Sequence, residues 1–218
     1  MAAGRLLAVL LFCSLAACQP TTPSPMATYT GQLPEPSPLK IQRLKPGDDY
    51  VHRPTGFVFP ERLDGLKRVE INIATENEDD VGGNYMIPGH EEFLATAMIF
   101  PIWNVIERRI SVADVPAACE EGYSNARETA LQRLTNARIV KEEAIPQPRF
   151  ADAVFTRVIV FEADGGAGLS ELPLRSELYW QCGVGKVWVV MHRISYLPNL
   201  PDSERLTRAV VEGAPKRP

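Results

Sequence analysis

The sequence predicts an α+β fold: an antiparallel β-sheet packed by about two helices on one face. Three observations carry this expectation. Apolar residues alternate at period two in an early group and again in a late group. Between the groups, VPAACEEGYSNARETALQRLTNARIV places small and apolar residues at helical spacing instead. The chain then closes on PDSERLTRAVVEG, a second helical pattern. Strands, helix, strands, helix is the order of a sheet whose apolar face is covered by helices.

The elements follow in chain order. In TGFVFP, Phe57 and Phe59 flank Val58 and end at Pro60, which predicts a short first strand. Val69, Ile71 and Ile73 alternate with Arg68, Glu70 and Asn72, the pattern of a strand with one wet face. ENEDDVGGNY predicts a turn, because Asn, Asp and paired Gly punctuate it, and NYMIP predicts a short strand. EEFLATAMIFP is apolar on both alternating sets: Phe93, Ala95, Ala97 and Ile99, against Leu94, Thr96, Met98 and Phe100. A central strand fits, with a short helix as the alternative, and Pro101 ends either one.

In the central helix, Ala126, Ala130, Leu131 and Leu134 recur at helical spacing. Glu120 and Glu121 suit its first turn, and Arg133 and Arg138 its end, by the sign of the helix dipole. ARIVKEEAI and the β-branched AVFTRVIVFEADGG read as strands. LRSELYWQCGVGKVWVVMHRISYLP reads as two strands joined at CGVG. On its first arm Leu174, Leu178, Trp180 and Cys182 share a face, the one a packing helix would cover. Asp202 or Ser203 caps the closing helix and Gly213 terminates it.

Ahead of this domain, at residues 50–218, lie two segments of different character. Residues 1–17 hold one charge, Arg5, and an apolar run of about a dozen residues, too short to span a bilayer. They fit a secretory signal. Residues 18–49 begin QPTTPSPMATYTGQLPEPSP after Cys18. Their Pro, Thr and Ser predict an extended linker with too little apolar surface to offset its ordering entropy.

The residues Leu15, Ala16, Ala17 and Cys18 resemble the lipobox of bacterial lipoprotein precursors. The resemblance implies that Cys18 receives a diacylglyceryl thioether, that cleavage before it removes Cys13 with the signal, and that the new amino group is acylated. Several acyl chains make a durable anchor where one binds reversibly. Gln19 stands where an aspartate would favour inner-membrane retention in enterobacteria, so the resemblance implies the outer membrane, with the domain in the periplasm or at the cell surface. The TGFVFP opening and the strand–helix layout are similar to PsbP-like domains, and to proteobacterial envelope proteins that begin Gly-Phe-x-Phe-Pro and continue Leu-x-Gly-Leu. That likeness implies a fold, and a fold hosts many functions.

Charge narrows the partners. The chain carries 23 Lys and Arg against 27 Asp and Glu, and losing Arg5 with the signal leaves 22 against 27. A mildly acidic domain without a basic stripe is no candidate for nucleic acid. Cys119 and Cys182 remain in the mature domain without a Cys-x-x-Cys spacing, so a disulfide is expected in an oxidising compartment.

Catalytic or metal chemistry finds few footholds. His52, His90 and His192, with Glu91 and Glu92 beside His90, lack the short spacing of zinc ligands. Glu76, Glu78, Asp79 and Asp80 cluster before Gly82 but do not match a calcium loop. GGAGLS lacks the lysine of a phosphate loop. Ser195 and His192 lack a nucleophile elbow. Trp103, Trp180 and Trp188 read as core or edge aromatics. No catalytic residue, cofactor or metal ligand is therefore expected. The expected role is a membrane-anchored, non-catalytic binding or assembly module with an envelope protein partner. A lipid or small-ligand carrier is the first alternative and an unrecognised hydrolase the second.

Overall fold

The computed structural model describes residues 39–44, 47–102, 111–166 and 172–217. Cys18, the signal segment and Trp103 lie outside the described residues. In chain order the elements are β1 (Leu39–Leu44), β2 (Tyr50–Val51), β3 (Val58–Phe59), β4 (Arg62–Leu63), β5 (Leu66–Thr75), β6 (Val81–Ile87) and β7 (His90–Pro101). A short 3-10 turn (Val112–Asp114) leads into α1 (Val115–Arg133). Then come β8 (Leu134–Thr135), β9 (Arg138–Glu143), β10 (Phe155–Ala163), β11 (Gly165–Gly166), β12 (Leu174–Val184), β13 (Trp188–Tyr196) and α2 (Ser203–Gly213).

One antiparallel sheet runs β1-β5-β6-β7-β13-β12-β10-β9, with β4 also on β5. The α+β class and the two packing helices stand as expected. Their placement differs from the expectation of one covered face. Phe93, Ala95, Ala97 and Ile99 of β7 join a core with Leu206 and Val210 of α2 and with Phe57, Phe59 and Leu63. Leu94 and Phe100 of the same strand pack with a second core, which holds Val115, Ala118, Cys119, Tyr123 and Ala130 of α1. Neighbouring residues of a strand point to opposite faces, so α1 and α2 cover opposite faces of the sheet. The physical reason lies in β7 and β13, which are apolar on both sides and need cover on both.

Three local differences are equally instructive. Val81–Ile87 is a strand, so the turn is confined to Glu76–Asp80 and the paired glycines lie within β6. A Cβ on Gly83 would sit 2.9 Å from the Phe59 ring, so glycine here allows a close approach and does not mark a turn. In β5 the register slips between Arg68 and Glu70, which makes Val69 the extra residue of a bulge. The bulge reverses the expected phase only ahead of it and turns Arg68 into the core, where it is 2% exposed, while Ile71 and Ile73 stay buried as the alternation predicts. Its guanidinium donates to the carbonyls of Phe59 and Asp48. Finally, Leu39–Leu44 pairs with β5 as an edge strand, so the last part of the expected linker belongs to the sheet.

Helix α1 starts with Pro at its first positions, which places Glu120 and Glu121 beyond the first turn. It stops at Arg133, earlier than the sequence pattern suggests, because Leu134–Thr135 pairs with Gly165–Gly166. A disulfide joins Cys119 to Cys182 with an S–S distance of 2.07 Å, fixing the start of α1 to β12. Beside it Gly122 lies against Trp180, where a Cβ would come within 3.1 Å of the indole.

Candidate functional site

The two faces of the sheet carry two different grooves. The first runs under the C-terminal half of α1. Its floor is Phe161 of β10, Ser176 and Leu178 of β12, and Met191 and Arg193 of β13. Its roof is Ala126, Thr129, Ala130 and Arg133 of α1, with Asn125 at the side. The disulfide and Gly122 hold the N-terminal half of α1 tightly to the sheet, while the small residues further along leave about 240 Å³ open.

Strand alternation puts Arg193 on this covered face together with Val189 and Met191. Its Nη2 is buried without a hydrogen-bond partner. Burial, and next the positive charge of Arg133, lower the pKa of Arg193. Among the described residues no carboxylate forms an ion pair with either arginine. Next to them the Ser176 and Ser195 hydroxyls lie 2.9 Å apart.

The second groove, about 350 Å³, lies between α2 and β12 on the opposite face. Glu177, Tyr179, Glu204, Thr207, Arg208 and Glu212 line it. Its central carboxylate is already engaged. Glu177 accepts from Tyr179 Oη at 2.7 Å, from Tyr196 Oη at 2.5 Å and from Arg175 Nε at 3.3 Å. Burial, followed by the Glu177 charge, raises the pKa of Tyr179. For Tyr196, burial and then the hydrogen bond to Glu177 do the same. Both phenols therefore stay protonated and donating.

The histidines are structural in their contacts. His192 is fully buried on the α2 face and donates from Nε2 to the Ala214 carbonyl. Ser195 faces α1, so the sheet separates the two and they form no nucleophile–base pair. Burial pushes His192 down to about 4. His52 is also fully buried, with Nδ1 2.6 Å from Thr55 Oγ1 and its ring edge-on to Trp188 at 5.3 Å. Burial lowers its pKa to about 4 as well. His90 is exposed and lies 3.4 Å from Glu92.

The acidic turn is closed by its own residues. Thr75 donates to Asp79, and the Asp79 N–H donates back to Thr75 Oγ1 at 3.1 Å. Glu78 accepts from Tyr50 Oη at 3.1 Å and lies 3.5 Å from Arg53 Nε. Burial, and then Asp79, push the Asp80 carboxyl up to about 6. Among the described residues no three His, Cys, Asp or Glu side chains converge on a metal-sized site. Trp180 is core, packed on Phe100 and Tyr123. Of GGAGLS, Gly165–Gly166 forms β11, and residues 167–170 lie outside the described residues.

Sequence reading did not single out Arg193 or Glu177. For Arg193 a signal existed: a lone arginine in a strand, on the same alternation set as Val189 and Met191. Glu177 gave a weaker signal, because Tyr179 stands two residues on in the same strand while Tyr196 meets it only across the β12–β13 pairing. Among the described residues no helix is long and apolar enough to cross a membrane. Comparison with protein-family models, curated proteins and solved structures found no match for this chain.

Proposed function

We propose that this chain is an envelope lipoprotein, held to the outer membrane through lipidated Cys18, whose α+β domain is a non-catalytic binding or assembly module. One observation carries the non-catalytic part. Four groups suited to acid–base or nucleophilic work are held in structural bonds: His192 to Ala214, Ser195 to Ser176, Glu177 to two tyrosines, Asp79 to Thr75. The Cys119–Cys182 bond supports an oxidising compartment, in keeping with export. The Leu-Ala-Ala-Cys motif supports the anchor, and the Pro-rich segment after it supplies reach.

In-cell crosslinking and pull-down of the full chain, with Cys18→Ser as control, tests the reading. One near-stoichiometric envelope partner, lost in the control, is the expected result. Recovery of the same partner with the unanchored chain would remove the need for a tether. A small-ligand carrier is the second reading, and the α1 groove is the observation that favours it.

A further inference from the structure

The groove under α1 combines three features. Its walls are apolar, from Phe161, Leu178 and Met191. It contains two guanidinium groups, Arg133 and Arg193, in mutual repulsion and with no carboxylate beside them among the described residues. A buried guanidinium nitrogen left without an acceptor is costly, and the Arg193 Nη2 is such a nitrogen. The nearby serine pair adds to the excess of donors. Two hydroxyls carry two hydrogens, and the bond between Ser176 and Ser195 uses one of them. The groove therefore offers guanidinium charge, from exposed Arg133 and partly exposed Arg193, to an acceptor that the protein itself does not supply. The α2 groove makes the contrast: its carboxylate already has three donors.

We infer that this groove binds a small amphiphilic carboxylate, with the anionic head on Arg193 and Arg133 and a short alkyl body against Phe161, Leu178 and Met191. Arginine's planar fork matches a carboxylate in two parallel hydrogen bonds. The volume of about 240 Å³ limits the guest, since it holds the equivalent of only about eight waters. A medium-chain acid fits that space, whereas a complete phospholipid exceeds it. The inference rests on the reading of the domain as a binding module and names the ligand class.

The test is photoaffinity labelling of the full, lipidated chain in its native membrane with a diazirine-bearing octanoate, followed by peptide mapping. The expected adducts lie on 125–133, on Phe161 or on 174–193, and excess octanoate removes them while octanol does not. Arg193→Met lowers labelling about tenfold, the scale of one lost charge-assisted contact. Because Arg193 is partly buried, Arg133→Gln at an exposed helix position serves as a second variant and also lowers labelling.

Adducts scattered over the domain, or equal competition by octanol, would overturn the site. Equal competition by inorganic phosphate would overturn the alkyl half of it. Undiminished labelling in both arginine variants would remove the arginines from it. The result is separable from the anchor. Absent labelling of the unsubstituted chain with membrane retention intact counts against the groove alone, and labelling that persists on an unsubstituted chain found to carry no lipid counts against the anchor alone.

Discussion

Acidification from pH 7 to pH 5 destabilises this domain, and two buried imidazoles set the size of the effect. Burial pushes both His52 and His192 from 6.5 down to about 4. Between those values the unfolded chain binds protons that the folded chain refuses, so stability falls as the pH falls. A folded value near 4 and an unfolded value near 6.5 cost about 2 kcal/mol per imidazole over this interval. Asp80 acts in the opposite direction. Its carboxyl is pushed up to about 6, so the folded chain takes a proton before the unfolded one does. That returns about 1 kcal/mol of the roughly 4 kcal/mol lost through the two imidazoles and leaves a net loss of about 2–3 kcal/mol. Urea unfolding followed by tryptophan fluorescence at pH 5, 6 and 7 reads this directly, since Trp180 is buried in the α1 core. His192→Gln removes one titrating group, worth about 2 kcal/mol, and so flattens most of the profile. A stability at pH 5 equal to or above that at pH 7 would refute the assignment of neutral, buried histidines.

Three further outcomes follow from the packing. Cys119→Ala with Cys182→Ala releases a constraint of sequence separation 63, which chain entropy values at about 4 kcal/mol, read as a lowered urea midpoint. Gly83→Ala presses a methyl against Phe59 and costs about 1–3 kcal/mol in thermal unfolding, whereas Gly47→Ala, with nothing within 4 Å, leaves the melting temperature unchanged. Arg68→Met strips the donor from the Phe59 and Asp48 carbonyls and destabilises by about 3 kcal/mol, and a neutral result would show that the bulge at Val69 does not need its arginine.

Legibility from sequence followed the range of the interaction. The β12–β13 hairpin was readable because alternation and a glycine turn are local signals. The inward face of Cys182 followed from the same alternation, and with it the pairing to Cys119 at the start of α1. Gly82 and Gly83 misled because a glycine that ends a strand and one that admits a neighbouring ring look alike in sequence. Only the Phe59 ring, more than twenty residues away, distinguishes them. The Val69 bulge was invisible for a similar reason: the alternation continues through it in sequence while the register slips in space. Cover on both faces was implicit in the doubly apolar β7, yet the closing helix had no mark saying which face it takes. The α1 groove draws on three strands and a helix, so only the odd placement of Arg193 pointed toward it.

The central claim is a binding domain on a lipid tether, and mass spectrometry of the N-terminal peptide from the membrane fraction tests it most directly. The expected result is a mature chain starting at Cys18, with a diacylglyceryl thioether on Sγ and an acyl group on the amino nitrogen. A chain that retains residues 1–17, or that begins elsewhere with Cys18 absent or carrying a free thiol, would contradict it.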